Sequence, residues 1–150
     1  MHVRQQIRAA VAAAVTGLAT TGTRVFASRV YPVAEGELPC LLITTGDEQA
    51  ETANLAWRSA QRRELGIEVV ALAQAASGVE NTLDTIAEEV ETALYATQSA
   101  STLAGLLLHP LRLDGIEVDL DGDGQRPTGA LTLRLTATYE TDAGVPGTAL

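Results

Sequence analysis

The 150-residue chain is 46% hydrophobic but only 3% aromatic, so a single domain with a core of Leu, Val, Ile and Ala is expected. Its net charge of −9 argues against a protein that grips nucleic acid phosphates. The same surplus of acid suits a surface that stays soluble, or one that lets DNA slide past without sticking. All ten cationic residues are Arg, a bias to which we attach little functional weight.

Residues 1–8 carry their charges within a helical pattern and lack the apolar run of a signal peptide. No stretch approaches the roughly 20 apolar residues of a membrane span. Folding in a cytosol, with no membrane partner, is the expectation. Val3, Ile7, Val11, Val15 and Leu18 recur at helical spacing, and the Gly17 and Gly22 region ends that helix. A short β-prone stretch over residues 24–31 stops at Pro32. A second strand, over residues 38–45 (LPCLLITT), carries Cys40, the only cysteine, as a small buried hydrophobe. One cysteine excludes an internal disulfide and a cysteine-based metal site.

Residues 63–73 (RELGIEVVALA) alternate Leu65, Ile67, Val69 and Ala71 against Glu64, Gly66 and Glu68, the pattern of a half-buried strand. Residues 46–61 (GDEQAETANLAWRSAQ) then read as a polar arm between two strands, longer than the usual hairpin loop of about two to five residues. A long polar arm points to contact with other proteins. Glu51 and Asn54 in the arm, and Trp57, Arg58, Arg62 and Arg63 around its end, are the candidate partner-binding residues, because Trp and Arg dominate interface energetics. A Trp folded back onto its own domain, with solvated Arg side chains, accommodates the same residues.

Ser77 and Glu80 have the spacing of a capping box. The helix they open carries Val79, Leu83, Ile86, Val90 and Leu94 on one stripe and Glu80, Asp84, Glu88 and Glu91 on another. An acidic stripe of this kind is commonly no more than a solvated face. Residues 101–106 add a helical turn. Leu111 and Leu113 alternate, the phase slips at Asp114–Gly115, and Ile116, Val118 and Leu120 resume it, as a β-bulge produces. The last strand, residues 129–140, alternates Leu131, Leu133, Leu135, Ala137 and Tyr139 with Thr132, Arg134, Thr136, Thr138 and Glu140. Residues 142–150 lack periodicity and read as a flexible tail.

No catalytic constellation emerges, and no cofactor or metal is expected. His2 and His109 have no partner at ligand spacing, and phosphate-loop, nucleophile-elbow and zinc-protease patterns are absent. Asp119, Asp121 and Asp123 followed by Gly124 imitate the start of a calcium loop. Ala130 stands where the loop needs its bidentate Glu, and Asp-Gly pairs between strands are ordinary hairpin chemistry. The expected fold is α+β: residues 1–141 form one domain, a mainly antiparallel or mixed sheet with two helices packed on one face.

Three strings, residues 38–48 (LPCLLITTGDE), 64–69 (ELGIEV) and 131–140 (LTLRLTATYE), resemble the tail terminator proteins of long-tailed phages, the family of the lambda minor tail protein U. The resemblance runs from Val3 to Glu140 in order and spacing. It implies a non-enzymatic structural protein at the head-proximal end of the virion tail, assembled in the host cytoplasm. Such a protein forms a homo-hexameric ring that caps the tail tube protein, stops its polymerisation and offers a surface to head–tail connector proteins. DNA passes through the ring without tight binding. Alternatives are another head–tail connector or tail-completion protein of similar architecture, or a small ligand-binding α+β domain.

Overall fold

A computed structural model describes residues 1–29, 32–54, 56–98, 102–122 and 127–150. Helix α1 (Val3–Ala14) leads to a three-residue strand β1 (Val25–Ala27) and then to two long strands, β2 (Cys40–Thr52) and β3 (Ala60–Gln74). Helices α2 (Val79–Gln98) and α3 (Thr102–Leu106) precede the closing pair β4 (Arg112–Asp121) and β5 (Thr128–Asp142). The five strands form one sheet in the order β1-β2-β3-β5-β4. Among the described residues only the β1–β2 pairing is parallel. The α+β architecture read from the sequence is the one found, with α3 as the added helical turn; Tyr31, Ser101, Asp123 and Gly124 lie outside the described residues.

Helix α1 forms where the apolar spacing requires it, burying Val3, Ile7, Val11 and the following Val15. His2 caps it, its Nδ1 accepting the Arg4 amide at 3.2 Å. Helix α2 buries Leu83, Ile86, Val90 and Leu94. The capping box expected at its start is not formed. The helix begins at Val79, and the Thr82 amide bonds to the carbonyl of Gly78, which holds a φ of +71°. Ser77 therefore lies one position too early to cap.

Both long helices cover the sheet face that carries Leu65, Ile67, Val69 and Ala71 of β3 and Leu131, Leu133 and Leu135 of β5. Each of these Leu, Ile and Val side chains contributes about 1.5–3 kcal/mol on full burial, against a net domain stability of about 5–15 kcal/mol. The register shift between Leu113 and Gly115 is the expected bulge, and it returns Ile116, Val118 and Leu120 to the helix side of β4. Cys40 is buried and free, and burial pushes its thiol up to about 11.

The C-terminal segment expected to be a loose tail is tied back. Pro146 accepts the Val3 amide at 2.9 Å, Ala149 bridges Thr141, and the Leu150 amide donates to Glu140 at 2.9 Å. Strand β4 stops opposite Thr136, so the Ala149 and Leu150 contacts, with the Leu108 amide on the Thr138 carbonyl, close the edge of β5 that β4 leaves open.

Candidate interaction surface

Most of the expected arm is sheet. Strand β2 continues to Thr52 and β3 starts at Ala60, paired in register from Glu48 opposite Leu65 to Thr52 opposite Gln61. Only residues 53–59 connect them, and the Ala53 amide closes the turn on the Ala60 carbonyl at 2.7 Å. A bulge between Thr45 and Glu48 shifts the side-chain phase, and beyond it polar residues occupy both faces. The alternation that marks a strand therefore disappears from the sequence there.

The six candidate residues do not form one patch. Glu51 and Arg62 stand opposite each other on the sheet face away from the helices, and Arg62 places Nε and Nη2 at 3.0 and 2.9 Å from Oε1 of Glu140. An exposed pair of this kind contributes about 0–1 kcal/mol. Arg63 points the other way, beneath the helix layer. Its Nη1 lies 3.2 Å from Oε2 of Glu48 and its Nη2 donates to Gln61 Oε1 at 2.9 Å. The Tyr139 hydroxyl donates to the other oxygen of Glu48. Burial, and after it this hydrogen bond, push the Tyr139 phenol above its ordinary value. Arg63 is thus a structural residue at the root of the hairpin, missed as such because its partner lies fifteen residues away across a bulge.

The remaining candidates sit at the hairpin tip. Trp57 is 103% exposed, which removes the reading in which it folds onto its own domain. Asn54 is turned inward to its own loop, its Oδ1 accepting the Ala56 amide at 3.4 Å. Arg58 is exposed, and among the described residues it is the arginine with no hydrogen bond or ion pair.

Among the described residues the sheet face opposite the helices is open along β3, β5 and β4, whereas at its β1–β2 end the segment around Arg29, Val33 and Leu38 packs near it and Cys40 is buried. Alternation places Glu51, Glu64, Glu68, Glu117, Asp119 and Glu140 on it, against Arg62, Arg112 and Arg134. A shallow depression of about 680 Å³ opens there beside Gly66, Glu68, Asp114, Arg134 and Thr136. Its polar groups bond one another: Asp114 accepts from Thr136 and from Arg112, and Arg134 pairs with Glu117 at 2.9 Å. The Thr136 bond, then the Arg112 bond, hold the Asp114 carboxyl below the usual carboxylate range. Among the described residues no group of three or more His, Cys, Asp or Glu side chains could hold a metal ion, and no helix is long and apolar enough to cross a membrane. Asp119 and Asp121 lie in strand β4, which runs antiparallel to β5, and the Asp123–Gly124 part of the expected turn lies outside the described residues.

No family model and no curated protein matches the chain. Among solved structures, it is similar to a chain of a structure described as "Virion of native gene transfer agent (GTA) particle". The identity is 22%, the match covers 93% of this chain and 92% of the other, and the TM-score is 0.49.

Proposed function

We propose that the protein is a structural subunit of a phage or prophage tail, a tail terminator and not an enzyme. Six copies close into a ring at the head-proximal end of the tail. The ring caps the tail tube, stops its polymerisation and offers its other rim to head–tail connector proteins. The observation that carries the reading is the open part of the sheet face along β3, β5 and β4, where carboxylates outnumber arginines. Turned toward a lumen, a wall of that sign repels phosphate and lets DNA pass without adsorbing. The resemblance of the strand sequences to the terminator family supports the same reading, as does the exposed Trp57 tip, since an aromatic side chain held wholly in water gains by docking on a partner. Heterologous contacts between identical copies generate a closed ring when the rotation closes.

The test is a capping assay. Purified protein added to polymerising tail-tube subunits stops growth and leaves tubes with a terminal ring in electron micrographs. Undiminished elongation at stoichiometric excess contradicts capping and favours another head–tail joining role.

A further inference from the structure

The helix layer stops short of the sheet's β4 edge. Ile116, Val118 and Leu120 share the helix-side face with their cross-strand partners Leu133, Leu131 and Gly129, yet they are 43%, 51% and 43% exposed. One wall rises beside this apolar strip, the flank of α2. Leu83 and Leu120 converge on Gly129, where an added Cβ would lie 2.7 and 3.0 Å from them. Further along the helix, the Tyr95 hydroxyl reaches the Leu111 carbonyl just before β4 at 3.4 Å. Helical spacing puts Glu80, Asp84, Glu88 and Glu91 on the Tyr95 flank, whereas Glu89, on the opposite flank, bonds Thr20. None of those four acidic side chains has a hydrogen bond or ion pair among the described residues. The molecule therefore has an apolar strip beside unpaired negative charge on one edge, and an apolar ring beside an unpaired positive charge, Trp57 with Arg58, at the hairpin tip.

We infer that these two surfaces are halves of one contact between copies: the Trp57–Arg58 tip of one subunit seats on the Ile116–Val118–Leu120 strip of the next, with Arg58 against the acidic flank of α2. The inference rests on the ring reading and names its interface. The tip and the strip are different surfaces, so the contact is heterologous and propagates around a ring instead of ending at a dimer. Docking through side chains also fits β4 itself, whose edge carries Arg112, Asp114, Glu117, Asp119 and Asp121 and so resists simple strand addition. Burial of a Trp with a charge-matched Arg beside it is the composition of an interface hot spot.

The experiment places cysteines at Ala56→Cys and Val118→Cys in one chain, keeping Trp57 and leaving the buried native Cys40 in place, and oxidises the assembled protein. A ladder of covalent multimers up to the closed ring is expected. Mixed single-cysteine chains give dimers only. In parallel, Arg58→Glu raises the protein concentration needed for assembly, and adding Glu88→Arg with Glu91→Arg restores it. Trp57→Ala raises that concentration by roughly 30-fold or more. Rings that form normally but give no tip-to-strip crosslink overturn this inference and leave the ring reading standing. So do rings of the Trp57→Ala variant that assemble normally yet fail to cap tubes, which assign the tip to the tube protein. A chain that stays monomeric under every condition overturns both.

Discussion

Arg63 Nη1 lies 3.2 Å from Glu48 Oε2 across the β2–β3 pair, with side-chain exposures of only 15% and 10%. Tyr139 holds the second carboxylate oxygen from β5, so three strands are joined at the level where the hairpin leaves the hydrophobic core. Removing one partner of a part-buried pair leaves a charge without compensation, and Arg63 Nε already lacks a hydrogen-bond partner. Glu48→Ala is therefore expected to cost about 2–4 kcal/mol in urea unfolding. Tyr139→Phe, which loses one hydrogen bond and keeps the ring, is expected to cost about 1–2 kcal/mol. A Glu48→Ala variant as stable as the parent would remove this network from the stabilising interactions.

The tip behaves oppositely. Replacing residues 54–59 by a two-residue Asn-Gly turn removes no core side chain and keeps Ala53 and Ala60 as the closing pair of the β2–β3 hairpin. Unfolding free energy is expected to stay within about 0.5 kcal/mol of the parent, while assembly and capping are lost. Loss of stability matching Glu48→Ala would make the tip part of the fold. Trp57, the one tryptophan, reports the same event optically: its fluorescence is that of an indole in water for the isolated chain and shifts to the blue on assembly.

Alkaline pH separates two buried groups. Cys40 and Tyr139 both bind their protons more tightly in the folded state, so the stability they contribute is full at neutral pH and falls as pH rises. The Cys40 contribution declines between 9.0 and about 11. The Tyr139 contribution declines above 10.0. Unfolding free energy measured against pH is expected to be level up to about pH 8 and to fall above pH 9. Cys40→Ala removes the early part of the fall and Tyr139→Phe the later part. A curve unchanged by either substitution would contradict the cause assigned here.

Both helices, the bulge at Gly115 and the closing strand were legible because each presents a clean period: Val3, Ile7 and Val11 at helical spacing, Leu131, Leu133 and Leu135 at two. The upper half of the β2–β3 hairpin was not, since Glu48, Ala50 and Thr52 occupy the face that elsewhere carries apolar side chains. Without apolar contrast a strand looks like a loop. The same gap hid the role of Arg63, whose neighbour Arg62 faces the opposite side of the sheet. Trp57 was identifiable by composition, but its full exposure was not, because nothing local dictates whether a loop Trp folds inward. The β4 strip was invisible for a further reason: Ile116, Val118 and Leu120 alternate like a core strand, and only the packed position of α2 leaves them uncovered.

The acid-rich sheet face makes a statement about nucleic acid. At physiological salt the protein is expected to give no mobility shift of duplex DNA, since Arg62, Arg112 and Arg134 are each paired with a carboxylate and Arg58 stands alone. Micromolar or tighter binding that weakens steeply with salt would reveal a basic surface and contradict the lumen reading.

The most direct test of the ring is mass. Light scattering of the purified protein across a concentration series, with and without tail tubes, is expected to show a species near six times the 15.7 kDa chain, formed alone or on meeting the tube end. A chain that remains monomeric at the highest concentration, and that tail tubes leave monomeric, contradicts it.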